Sequence, residues 1–109
     1  MPIIICFEGH LAADPSSART PHTDTPVCEA VVMVNRRTKR DGDWADATPT
    51  RYAIKAWKKH AEALATCTTG TGVVVIGHVE TESWEDQDGR RRYTDTVVVD
   101  SLGQTMPTR

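Results

Sequence analysis

The sequence predicts an all-β fold, a five-stranded barrel with one short helix between strands 3 and 4. Three observations predict it. Apolar residues gather in five β-type runs, several of them at the period of two that marks a half-buried strand. A single stretch, Lys58 to Cys67, carries the alanine and leucine content of a helix. Asp-Gly pairs at Asp41-Gly42 and Asp88-Gly89 supply the positive φ of tight turns, so they mark hairpins between strands 2 and 3 and between strands 4 and 5.

Strand 1 runs from Ile3 to Leu11. Ile3, Ile5, Phe7 and Leu11 share one face, and Gly9 fits a bulge or a close crossing of backbones. Asp14 to Asp24 is rich in Ser, Thr, Pro and Asp and reads as a loop. Strand 2, Val27 to Arg37, alternates Ala30, Val32 and Val34 with Val31, Met33 and Asn35. Arg40 to Trp44 turns the chain. Strand 3, Arg51 to Trp57, sends Tyr52, Ile54 and Ala56 inward and Arg51, Ala53, Lys55 and Trp57 outward. Gly70 and Gly72 close the helix. Strand 4, Val73 to Trp84, begins with Val73-Val74-Val75-Ile76, apolar on both faces and so deeply buried. Tyr93 to Leu102 is strand 5.

With 109 residues the chain has room for one core, so residues 1–103 form one domain and residues 104–109 a short tail. The net charge of −2 decides nothing about an anionic partner, but its distribution does. Between Val34 and His60 lie eight Lys and Arg against three Asp. Cys6, Cys28 and Cys67 are too few and too dispersed for a disulfide framework or a zinc ribbon, which suits a reducing cytoplasm. Cys6 and His10 would stand ~13 Å apart on a strand, too far to share an ion. The apolar start lacks a basic flank and reaches Glu8 quickly, so it is a strand and not a signal peptide. No run approaches a membrane span. The sequence carries no GxSxG, no phosphate-binding glycine loop and no HExxH, so neither catalysis, a cofactor nor a metal is expected.

Two surface features remain. Arg51, Lys55 and Trp57 form an outward row of two cations and an indole, a composition better explained by a partner than by a core. The segment Ser83 to Tyr93 places Trp84 and three arginines, Arg90, Arg91 and Arg92, on a hairpin that extends into solvent. Single-stranded nucleic acid needs both properties, because bases stack on rings while cations meet phosphates. Arg36, Arg37 and Lys39 add charge at the end of strand 2. The order of three strands, a helix and two strands matches the OB-fold, a partly open Greek-key barrel. That fold binds ligands on strands 2 and 3 and on the loops joining strands 1–2 and 4–5. Both surface features fall there.

From Ile3 to about Gly103 the sequence resembles the bacterial single-stranded DNA-binding protein (SSB) family. The residues that carry the likeness are Gly9-His10-Leu11-Ala12-Ala13-Asp14-Pro15, Thr25-Pro26-Val27, Val34-Asn35-Arg36-Arg37 and Asp41-Gly42-Asp43-Trp44. Ala56-Trp57-Lys58-Lys59, Gly77, Ser83 to Gly89 and Tyr93-Thr94 complete it. The resemblance implies sequence-tolerant binding of single-stranded DNA in replication, recombination and repair, by a homotetramer with strand 1 near a subunit interface. It implies stacking at Trp57 and Trp84. Two positions where relatives often carry aromatics hold Lys39 and Arg51, which shifts the expected affinity toward electrostatics. Family members usually end in an acidic, hydrophobic tip that recruits other proteins. The sequence stops at Arg109 without one, which reads as either a truncated form or a specialised paralogue, so tail-mediated recruitment is not assumed. A nucleoid-associated, cytoplasmic location follows from the same likeness. The alternative is an OB-fold protein adaptor in a primosome or conjugation complex, and after it a small RNA binder.

Overall fold

The structure is a computed structural model that describes residues 2–40 and 42–106, with backbone alone for residues 36–40 and 43–47. Its elements are β1 (Ile3–Leu11), β2 (Ser16–Arg19), β3 (Pro26–Arg40), β4 (Asp43–Trp57), α1 (Lys59–Ala65), β5 (Gly72–Glu85) and β6 (Arg91–Gln104). Strands β1, β5, β6, β4 and β3 follow one another in a sheet, and β3 returns to β1 through His10 opposite Met33 and Leu11 opposite Val32. Five strands therefore form a ring, as the sequence predicts. The seam between β4 and β6 is parallel, Ile54 opposite Val97 and Lys55 opposite Val98.

The expected strand count is corrected by one. The loop foreseen from Asp14 to Asp24 contains β2, which pairs with Pro26 to Glu29 at the outer edge of β3. All four of its residues are exposed. An edge strand that buries no apolar face shows no alternation in the sequence to announce it.

The β3–β4 hairpin is also longer than predicted. Its ladder continues beyond Arg37 to Arg40, and β4 starts at Asp43, well before Arg51. Val34 pairs with Thr50 and Arg36 with Ala47, so Asn35 faces two residues, Thr48 and Pro49. Proline has no N–H for a ladder, and a bulge accommodates that lack. This break in periodicity is why the sequence pattern begins the strand only at Arg51, after a turn at Arg40 to Trp44. Trp44, which the sequence places on that turn, lies within β4 opposite Lys39, its side chain outside the described residues.

The core sits inside the ring. Leu11, Val32, Ile54, Ala56, Val73 and Val75 are fully or almost fully buried, and α1 closes one end with Ala61 and Leu64. Phe7 stacks on Tyr52 with centroids 4.6 Å apart. Two glycines permit the tight curvature: a Cβ on Gly9 would fall on the Met33 carbonyl oxygen, and one on Gly77 on that of Val98. The predicted close crossing at Gly9 is thus the β1–β3 seam. The start of β5 is buried on one face only. Val73 and Val75 point inward while Ile76 is 42% exposed, because none of the described residues covers the outer face of β1 and β5 there. The helix is shorter than Lys58 to Cys67: it ends at Ala65 with Thr66 as its C-cap, before Gly70. No helix among the described residues is long and apolar enough to cross a membrane.

Candidate nucleic-acid interface

Residues of the β3–β4 and β5–β6 hairpins line an open cleft of ≈ 610 Å³. Most of its lining follows the alternation along each strand, with Ala30 and Ile54 of the opposite parity also reaching it. From β4 come Arg51, Ala53 and Lys55; from β3, Glu29 and Val31; from the second hairpin, Glu82, Trp84, Thr94 and Thr96. The segment after β1 adds Ala12, Ala13 and Asp14. Arg51, Lys55 and Trp84 of the predicted set are therefore brought together. Trp84 is 46% exposed, unusual for an indole without a partner, and its ring is available to a flat ligand.

Lys55 departs from the expected row of free cations. Its Nζ donates to Glu82 Oε1 at 2.8 Å and lies 3.7 Å from Glu29 Oε1, with only 19% of the side chain exposed. Bonding to Glu82, reinforced by the charge of both carboxylates, holds the ammonium above the ordinary lysine range. Register explains the contact, since Glu29 stands opposite Lys55 across the β3–β4 ladder. Trp57 continues the outward face of β4 half-buried, with Lys55 Nζ 5.8 Å from its ring centroid, but it does not line the cleft.

The three arginines also separate. Asp86 organises the hairpin tip: Oδ1 accepts from the backbone N–H of Asp88 and Arg90, and Oδ2 accepts from Arg92 Nε at 2.8 Å. These bonds, the Arg90 N–H foremost, lower the Asp86 pKa. Gly89 takes φ +78° beside them, as the Asp-Gly signal requires. Arg90 and Arg91 are exposed, while Arg92 is committed to Asp86. Arg36, Arg37 and Lys39 lie on the distal part of β3, their side chains outside the described residues.

Sequence reasoning missed the acids. Asp14, Glu29 and Glu82 line the cleft against two cations, Arg51 and Lys55. Asp14 Oδ1 accepts from both the backbone N–H and the hydroxyl of Thr69, at 2.8 Å each, which depresses its pKa. A signal for Glu82 was present, since it stands two residues before Trp84 and so on the same face. Farther along that face of β5, His78 bonds Asp100 through Nδ1 at 2.9 Å and Glu80 through Nε2 at 2.8 Å. Asp100 is the extra residue of a bulge, between Ser101 opposite Ile76 and Val99 opposite Gly77. The two carboxylates, Asp100 first, raise the His78 pKa.

The Single-strand binding protein family matches residues 3–105, nearly the whole chain. The chain belongs to that family. A Single-stranded DNA-binding protein of Clostridium tetani is 38% identical over 96 residues, 86% of this chain and 63% of that one. Single-stranded DNA-binding protein 2 of Clostridium acetobutylicum is 35% identical over 96 residues, 86% of this chain and 69% of its own length. This chain thus spans about two thirds of the curated relatives it matches. The small single-stranded DNA-binding protein from Streptomyces coelicolor superposes with a TM-score of 0.78 at 20% identity, covering 97% of this chain and 96% of that one. That likeness establishes the shared fold, and this family member keeps it with an all-β ring and one helix between β4 and β5.

Proposed function

We propose that this protein binds single-stranded DNA with little regard to sequence and protects it during replication, recombination and repair. The observation that carries the reading is the exposed Trp84 ring beside Arg51 in a cleft between two hairpins, on the surface where OB barrels take oligonucleotides. Stacking falls to Trp84 and to Trp57. Phosphates are met by Arg51, by Arg90 and Arg91 at the hairpin tip, and by Arg36, Arg37 and Lys39. Lys55 and Arg92, each held by a carboxylate, contribute less. The role is binding without catalysis, at the nucleoid in the cytoplasm.

Assembly is part of the proposal. The free edge of β1, with Ile3 67% and Ile4 63% exposed, suits pairing with a second copy, and a homotetramer would present several clefts to one strand. The deciding experiment compares a mixed-sequence single strand, its duplex and poly(U) in one titration. Tight binding to the DNA single strand, far weaker to duplex, supports the reading. Weak binding to all three would favour a protein adaptor.

A further inference from the structure

We propose that Lys58 binds a phosphate of the single strand beside Trp57, held there in a backbone conformation that suits glycine. The inference deepens the single-strand reading and rests on it. The path of the chain sets the backbone. β4 ends at Trp57 and α1 begins at Lys59, so one residue turns strand into helix. Lys58 does so with φ +56° and ψ −123°. Its N–H donates to the Pro26 carbonyl oxygen at 2.9 Å, and its own carbonyl oxygen accepts from the Glu62 N–H at 3.1 Å. These bonds fix the conformation at this position and leave the side chain unspecified.

At positive φ a Cβ crowds the backbone, and glycine is the residue that avoids the clash. The chain follows this rule at its other turns, where Gly42, Gly70 and Gly89 take φ of +88°, +86° and +78°. Among the described residues two non-glycines depart from it, Asp24 and Lys58. Asp24 is of the short polar kind that visits the left-handed region, and its carboxylate pairs with Arg19 in the same turn. Lys58 is long and exposed, and its ψ lies far from the left-handed helical well. Strained non-glycine residues gather at ligand sites, where the side chain does what glycine cannot.

The surroundings name the ligand. Lys58 follows the Trp57 indole directly in the chain, and Lys59, exposed as well, comes next. Lys55, two residues before the indole, is held by Glu82 and Glu29, whereas Lys58 has no such carboxylate partner among the described residues. A base stacked on Trp57 brings its phosphate within the span of an adjacent residue, and the flexible lysine stem carries a point charge to it. Contact with phosphate carries no information about the base. The site therefore serves the binding of any sequence.

The test compares the whole protein with Lys58→Gly, Lys58→Ala and Lys58→Arg by thermal melting, sedimentation and titration of a short mixed-sequence DNA single strand at several salt concentrations. Glycine and alanine both remove the charge, but glycine alone relieves the backbone. Lys58→Gly should therefore melt above Lys58→Ala while the two bind equally weakly. Their log–log salt slopes should be flatter than the parent's by about 0.7, so a tenfold rise in salt should narrow the gap in affinity about fivefold. Lys58→Arg should bind and melt like the parent. Parent-like affinity in Lys58→Gly, or weaker binding with an unchanged slope, overturns the inference and leaves single-strand binding intact. Equal melting of the glycine and alanine variants overturns it too, since the backbone would then hold no strain. Altered sedimentation with short-strand affinity intact also overturns it, and assigns Lys58 to packing between copies. A parent that binds no single strand overturns the reading beneath it as well.

Discussion

Trp84 and Trp57 share a residue type but differ in setting. Trp84 projects into the cleft wall, so Trp84→Ala removes a ring and little packing. A base–aromatic stack contributes about 1–3 kcal/mol, and the substitution should weaken single-strand binding roughly tenfold or more while the thermal midpoint stays put. Trp57 is half-buried beside Lys55, so Trp57→Ala should cost binding and some stability together. Titration and melting of both variants check the split; equal stability loss in the two would contradict it. Charge follows the same logic. Each neutralised phosphate contributes about −0.7 to the log–log salt slope for single strands. Arg51→Ala should flatten the slope by about that much. Lys55→Ala should change it less, because Glu82 and Glu29 already neutralise that ammonium. Equal flattening would mean that DNA displaces both carboxylates.

At the level of the strands, a histidine flanked by carboxylates sits on the outer face of β1, β5 and β6. His78 meets Asp100 from β6 and Glu80 from β5, and the position facing it on β1 is Ile4, which carries no charge. Its pKa is raised above 6.5, so the folded state holds the proton more tightly than the unfolded chain. The stabilisation is complete below about 6.5 and is lost as pH rises through the elevated value. Melting midpoints should therefore fall on going from pH 6 to pH 9, and His78→Gln should flatten the part of that fall due to this site. An unchanged profile would assign the pH dependence elsewhere. The sequence does not display this cluster, because a bulge one residue long brings Asp100 to His78. What it does display follows from physics that acts locally. Period-two faces gave the orientation of β4 from Tyr52 to Trp57, Asp-Gly gave the hairpin tip at Gly89, and Gly9 gave the seam. Features held by backbone bonds or by register across strands were illegible: β2, the distal β3–β4 ladder and the Glu29–Lys55–Glu82 chain.

For the whole molecule, closure of the ring and assembly of copies both depend on β1. One edge of β1 pairs with β5 from Ile3 to His10, whereas the other meets β3 only at His10 and Leu11 among the described residues. A Cβ on Gly9 would collide with backbone at that seam, so Gly9→Ala should destabilise the ring by a few kcal/mol, in the range of overpacked sites. The rest of the free edge is apolar at Ile3 and Ile4, and an unguarded edge strand is a template for pairing. Ile4→Lys places a charge on that edge without entering the core, since Ile4 already faces outward. If the proposed tetramer assembles through β1, the variant should sediment as a smaller species at micromolar concentration. Its affinity for a short oligonucleotide that fills one cleft should match the parent. Its affinity for a long strand should fall much further, because clefts on separate molecules lose the high effective concentration that linkage provides. A variant that stays tetrameric would move the interface off β1. A parent that is monomeric, yet binds long strands tightly, would show that one cleft alone supplies the affinity.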